Sequence, residues 1–224
     1  METRTRRSER REEPLSRELI VQAAVELLDA SGERGLTFRA LAERLATGPG
    51  AIYWHITGKD EVLGAATDAV IADAMSLGGA DATPQEAVRA LALGVFDAID
   101  AHPWVGTQLA RAPWQSAMLR VFERIGRLVR ALGVPPSAEF TSASALFNYI
   151  LGVGGQNAAN ARAHEPGATR AEFLDNVSVA WAGLDPDEYA FIRSAADRLR
   201  EHDDRTEFLA GLDLILSGIT ATLL

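Results

Sequence analysis

Apolar residues recur at intervals of three and four along nearly the whole chain, and alternating β-branched runs are missing. That is the periodicity of helices that each bury one face. Leu19, Ile20, Ala23, Ala24, Leu27 and Leu28 form the first stripe. Ser16 precedes it, where a hydroxyl can accept from an unpaired backbone N–H, and Leu15 and Ile20 take the staple positions around that cap. Gly32 suits the left-handed residue that ends a helix. Thr37 caps a short second helix through Leu45, with Leu36 and Leu41 as its staple. After a turn, Pro49 takes the first position of a third helix ending near Ile56.

Thr57-Gly58-Lys59-Asp60 resembles a capping box with Asp in place of Glu, and opens a long helix to about Leu77. Residues 78–84, rich in glycine and ending in Pro84, read as a loop. Further helices are predicted at about 85–101, 103–110, 113–132, 137–162, 186–201 and 204–222. Residues 163–185, with His164-Glu165-Pro166-Gly167, read as a mobile connection holding a short helix. The fold class is all-α.

Composition narrows the chemistry. The 224 residues hold no cysteine, which excludes disulfides, thiol nucleophiles and zinc fingers. The first residues lack the apolar stretch of a signal peptide, and no apolar run approaches the ~20 residues of a membrane span. The expectation is a soluble cytoplasmic protein without membrane contact, in which the sequon Asn176-Val177-Ser178 carries no meaning. The net charge of −9 argues against nucleic acid only until it is located. Residues 1–60 balance ten basic against ten acidic side chains, so the whole excess lies beyond them. Six arginines within residues 1–17 fit either a solvated tail or an arm that follows a phosphate backbone.

Two short helices joined by Ala46-Thr47-Gly48 match the helix-turn-helix layout. In that layout the second helix enters the major groove, with its first residues facing the bases. Here that helix reads Pro49-Gly50-Ala51-Ile52-Tyr53-Trp54-His55. Ile52 and Ile56 lie four apart and anchor it to a small core, leaving Tyr53 and His55 free to point outward. Lys59 opens the next helix, where its ammonium and the local N–H groups together can hold a phosphate.

Residues 36–42 (Leu-Thr-Phe-Arg-Ala-Leu-Ala), Ile52-Tyr53-Trp54-His55 and Lys59-Asp60-Glu61-Val62-Leu63 together resemble the signature of the tetracycline-repressor family. The Tyr-Trp-His triplet, with lysine four residues after the histidine, is similar to the tetracycline repressors themselves, and residues 207–219 resemble their last dimer helix. The resemblance implies an Arg-rich arm over 1–14 and a helix-turn-helix domain over 15–62, whose linking helix runs to about 77. It also implies a ligand-binding and dimerisation domain over 80–224. By position, it assigns base reading to Arg39 and backbone contacts to Thr37, Tyr53, His55 and Lys59. The tip of the recognition helix departs from the pattern: Gly48, Pro49, Gly50 and Ala51 carry no side-chain donors. Pro49 and Ala51 can offer thymine methyls apolar contact only, so specificity leans on Arg39 and on DNA shape.

The same resemblance implies double-stranded operator DNA, a small-molecule inducer and a second copy of the chain as partners. Dimerisation is expected through helices near 137–162 and 204–222, with Phe208, Leu212, Ile215, Leu216 and Ile219 as the contact stripe. The periodicity of that stripe suits a buried core equally well. A pocket is expected among Phe96, Trp104, Gln108, Trp114, Phe147, Asn148, Leu151 and Gln156. The stretch Trp104-Val105-Gly106-Thr107-Gln108 offers no histidine for a drug-bound magnesium, so no metal and no cofactor are expected. His164-Glu165 and His202-Asp203-Asp204 read as solvated loop residues. Gly152-Val153-Gly154-Gly155 follows no strand, and so reads as close helix packing and not as a dinucleotide site. A ligand-responsive repressor stands first. An all-helical enzyme lacks a catalytic cluster, and a ligand-independent DNA-binding protein has no use for the large second domain.

Overall fold

The computed structural model describes residues 14–76, 81–111, 116–163 and 169–221. The Arg-rich arm up to residue 13, Trp114 and His164-Glu165-Pro166-Gly167 lie outside the described residues. Eleven helices and no strand are found among the described residues. The chain divides into two compact units, with the boundary between Ala66 and Thr67.

The first unit holds α1 (Arg17–Gly35), α2 (Phe38–Arg44), α3 (Pro49–Tyr53) and the start of α4 (Lys59–Met75). Ser16 Oγ accepts from the Leu19 N–H at 3.3 Å, and Thr37 Oγ1 from the Ala40 N–H at 3.0 Å. Gly32 does adopt a positive φ of 62°, but it kinks α1 without ending it, and a last turn continues to Gly35. Five residues of helix cannot hold themselves together, because nucleation costs more than the few hydrogen bonds return. Burial of Ile52 and Ile56, both 0% exposed, fastens α3 against Ile20, Leu36 and Leu41 of the same core. Each such side chain contributes about 1.5–3 kcal/mol by leaving water.

Two local readings are corrected. α3 stops at Tyr53 and not near Ile56, because the His55 and Ile56 N–H groups both turn back to the Ile52 carbonyl, at 2.9 and 3.0 Å. The box before α4 closes on Glu61, one residue later than Asp60. Glu61 Oε2 accepts from both the N–H and the hydroxyl of Thr57, each at 2.8 Å. The longer glutamate spans the extra residue.

The second unit holds the rest of α4 and α5 (Pro84–Ala101), α6 (Pro103–Arg111), α7 (Ser116–Ala131), α8 (Pro136–Ala163), α9 (Arg170–Ala182), α10 (Ala190–Arg200) and α11 (Asp204–Ala221). α8 is its spine, packed against α5, α6, α7 and α11, while α9 and α10 pair with each other. Glycine sets the spacing around α8. A Cβ on Gly106 of α6 would lie 3.2 Å from the Ala158 Cβ and 3.2 Å from Ile99 Cγ2. On the other side, Gly211 lets α11 close over the Tyr149 ring, whose hydroxyl donates to the Phe208 carbonyl at 2.9 Å. Phe208 stacks between Phe96 and Tyr149, with centroids at 4.5 and 5.4 Å. Of the 152–155 cluster, Gly154 makes the close approach, to Ile99 of α5, while Gly152 faces open space.

α9 occupies the stretch expected to be a mobile connection. Its start is a full capping box, with Thr169 and Glu172 exchanging side-chain and backbone hydrogen bonds. Thr169-Arg170-Ala171-Glu172 carries that signal in the sequence.

The α11 stripe is also corrected. Phe208, Leu212, Leu216 and Ile219 are buried within the chain, at 7% exposure or less, so they leave no surface for a second copy. Ile215 is half-buried beside them, and the outward face of α11 is Ala210, Leu214, Ser217 and Gly218. A stripe at this spacing marks a buried face without saying whether the cover is the same chain or another.

Candidate nucleic-acid interface

The turn between α2 and α3 fixes how α3 is presented. Ala46 takes a positive φ of 50°, and the Thr47 N–H returns to the Ala42 carbonyl at 2.9 Å. Pro49 then starts α3 with its φ preset for helix, and Pro49 and Gly50 are exposed while Ala51 is half-buried. Ile52 faces inward, which turns the next three side chains to solvent. Tyr53 is 52% exposed and Trp54 90% exposed, with His55 exposed beside them.

Tyr53 is held by stacking. Its ring lies 4.2 Å from that of Phe38, with an interplanar angle of 4°. One α2 residue thereby fixes a reader on α3. Arg39 follows Phe38 on α2 and is 87% exposed in its side chain, tethered only to Glu43 at 2.9 Å. Thr37 spends an acceptor lone pair on its cap, and its hydroxyl hydrogen remains available to a phosphate. Lys59 Nζ donates to the Glu33 carbonyl at 2.6 Å. One of its three N–H groups thus satisfies the end of α1, and two remain for an anion.

Arg17 is a member of this site that periodicity did not single out. Its guanidinium donates to the His55 carbonyl at 2.9 Å and to Glu61 Oε1 at 2.6 Å. Together with the Thr57–Glu61 bonds, this ties the loop after α3 to the first turns of α1 and α4. The Thr57 N–H, the Arg17 guanidinium and the Thr57 hydroxyl all hydrogen-bond the Glu61 carboxylate, lowering its pKa to about 2. Trp54 is the other residue missed. An indole that comes directly before an outward histidine on so short a helix has no core left to enter.

In the second unit the expected pocket residues are not brought together. Phe96, Trp104 and Gln108 are buried, Phe96 in the stack with Phe208. Phe147 meets Phe122 of α7 at 5.2 Å, Leu151 is half-buried and Asn148 is exposed. Gln156 alone of the set lines a cleft of about 420 Å³ formed by α8, α9, α10 and α11. Asp204, at the start of α11, takes Arg170 through both oxygens at 2.6 Å and His202 Nε2 at 3.0 Å. Asp203 accepts from the Thr206 N–H at 2.7 Å. His202, Asp203 and Asp204 thus close a helix start and an ion pair, and no cluster fit for a metal ion occurs among the described residues. No helix among the described residues is long and apolar enough to cross a membrane.

Comparison with known proteins agrees with this geometry. Residues 20–66 match the family described as bacterial regulatory proteins, tetR family, and residues 79–223 match the tetracyclin repressor-like C-terminal domain. The solved transcriptional regulator SCO7222, a TetR from Streptomyces coelicolor, is 63% identical, with a TM-score of 0.84 over 93% of this chain and 99% of that one. An HTH-type transcriptional regulator of Saccharopolyspora erythraea is 31% identical over 140 residues, 62% of this chain and 59% of that protein, so the match spans under two thirds of that relative. The fold is shared with ActR of Streptomyces coelicolor in complex with actinorhodin, at 23% identity and a TM-score of 0.74 over 93% of this chain and 96% of that one.

Proposed function

The chain belongs to the tetR family of bacterial regulatory proteins, and from that premise we propose that it is a ligand-responsive transcriptional repressor. It binds an inverted-repeat operator as a homodimer in the cytoplasm and is released by a small, largely apolar molecule. The observation that carries this reading is the exposed row Arg39, Tyr53, Trp54 and His55, fixed on a short helix by Ile52 below and Phe38 beside it.

Arg39 is the base reader, since a guanidinium can donate twice to the major-groove edge of guanine. Thr37, Tyr53, His55 and Lys59 hold the phosphate backbone, and Trp54 lies against the sugars beside them. Pro49 and Ala51 contribute apolar contact at the tip of α3. Lys59 stands at the start of α4, which runs unbroken to Met75, so a tilt of α4 moves a phosphate contact. An effector that changes this tilt alters the spacing of the two recognition helices, which must sit ~34–36 Å apart to reach successive major grooves.

The homodimer uses the outward faces of α8 and α11. On α8 these are Ala145, Asn148, Gly152, Gln156 and Ala159, and on α11 Ala210, Leu214, Ser217 and Gly218, all exposed in the single chain. Small residues let helices approach closely, and one such pair per subunit makes a self-complementary patch.

The test is fluorescence anisotropy with duplexes tiled from the DNA flanking the gene. The expected result is one fragment bound far more tightly than random duplex, with affinity falling steeply as salt rises. Equal binding of every fragment would refute a specific repressor.

A further inference from the structure

We propose that the cleft between α8, α9, α10 and α11 binds a planar aromatic molecule carrying one positive charge, stacked among Tyr149, Phe173 and Trp181 with Glu207 as counter-ion. The proposal rests on the repressor reading only for its regulatory use; the binding itself is a property of the cleft.

Three observations meet there. The volume, about 420 Å³, lies in the range of small-molecule sites, ~300–1,000 Å³. The walls are aromatic, and Tyr149, Phe173 and Trp181 each keep part of their surface open to the cleft. Flat π-faces take a flat ligand, and their negative quadrupoles favour a cation. The charges are unequal. Asp204 is neutralised by Arg170, which donates to both its oxygens and lies 5.7 Å from the Phe173 centroid. Glu207 also lines the cleft and has no ion pair among the described residues. Its charge and burial together hold the Tyr149 hydroxyl protonated by raising its pKa.

The polar groups fit the same ligand. Gln156, Asn157 and Asn160 line the α8 side with amides that make no hydrogen bond among the described residues. Each presents both donor and acceptor, suited to carbonyl and hydroxyl groups on an aromatic frame. An anionic ligand meets a carboxylate here and finds the one guanidinium already engaged.

Three fluorescent probes of one shape test this without DNA: aminomethylanthracene, hydroxymethylanthracene and anthracenecarboxylate, titrated into the full chain. The ammonium is expected to bind about three- to tenfold more tightly than the alcohol, and the carboxylate most weakly. Glu207→Gln keeps the shape and is expected to bring the ammonium to the alcohol's affinity, leaving the alcohol unchanged. Trp181→Ala is expected to weaken all three while the protein keeps its oligomeric mass. Equal affinities, a preference for the carboxylate, or no effect of Glu207→Gln would overturn the proposal. So would a Trp181→Ala variant that falls to monomers, because the cleft would then be a subunit contact. Probe binding that leaves operator affinity unchanged would strike at the regulatory use of the cleft, and not at its chemistry.

Discussion

The Arg17 guanidinium meets the Glu61 carboxylate at 2.6 Å, joining the first turn of α1 to the first turn of α4. The same guanidinium holds the His55 carbonyl, and the same carboxylate holds Thr57. The loop that follows the recognition helix is therefore clamped from both sides, which pre-orders Trp54 and His55 before any DNA arrives. Pre-ordering matters because each side chain fixed on binding costs about 0.5–1.5 kcal/mol.

The clamp has a pH signature. The Glu61 pKa is lowered from 4.5 to about 2, so the folded state favours the ionised form. Its contribution to stability is fully present above pH ~4.5 and is lost as pH falls toward ~2. Glu61→Gln is expected to lower the melting temperature at pH 7, with the gap to the parent protein narrowing below pH 4.5 and closing near pH 2. Thermal melts of both proteins across that range check it, and a gap independent of pH would exclude the ionised clamp.

Arg39 and Lys59 are expected to fail differently. Arg39→Ala relaxes base preference at one position of each half-site, a loss of about 1–3 kcal/mol against the best sequence and little against random duplex. Lys59→Ala weakens every sequence alike and lowers the salt slope by about one per site. Anisotropy on operator and random duplex at several salt concentrations separates the two. Equal losses of Arg39→Ala on both duplexes would show that Arg39 reads no base.

On α11, neighbours two residues apart are expected to behave oppositely. Leu214, 76% exposed, lies on the outward face, and Leu214→Arg is expected to give folded monomers. Leu212 is 0% exposed, and Leu212→Ala is expected to cost about 2–5 kcal/mol of stability without changing subunit number. Ultracentrifugation with denaturant melts checks both. A Leu214→Arg protein that stays dimeric would move the interface off this face.

The first unit was largely legible in the sequence because its signals are local. Ser16, Thr37 and Pro49 mark helix starts through chemistry that acts within three residues, and the structure shows each in that role. Glu61 displaced Asp60 because reach along the chain, and not spacing alone, decides which carboxylate returns to a cap. The second unit was legible as helices but not as a site. Its pocket candidates were chosen as aromatics on the right helices, yet which way each points depends on contacts between residues far apart. Phe208 is buried by Phe96, over a hundred residues away, and no local pattern records that. Arg17 was hidden for the same reason, since an arginine in a run of arginines shows no partner until α4 folds beside it.

The central claim is that two copies of this chain read a two-fold symmetric duplex. Selection from a pool of random-sequence duplexes, with sequencing of the bound fraction and the mass of the complex, tests it most directly. The account predicts an inverted repeat whose half-site centres lie about one helical turn, ~10 bp, or a multiple of it apart, carrying two protomers for each repeat. Enrichment of an unpaired half-site, or no enrichment over the starting pool, would contradict it.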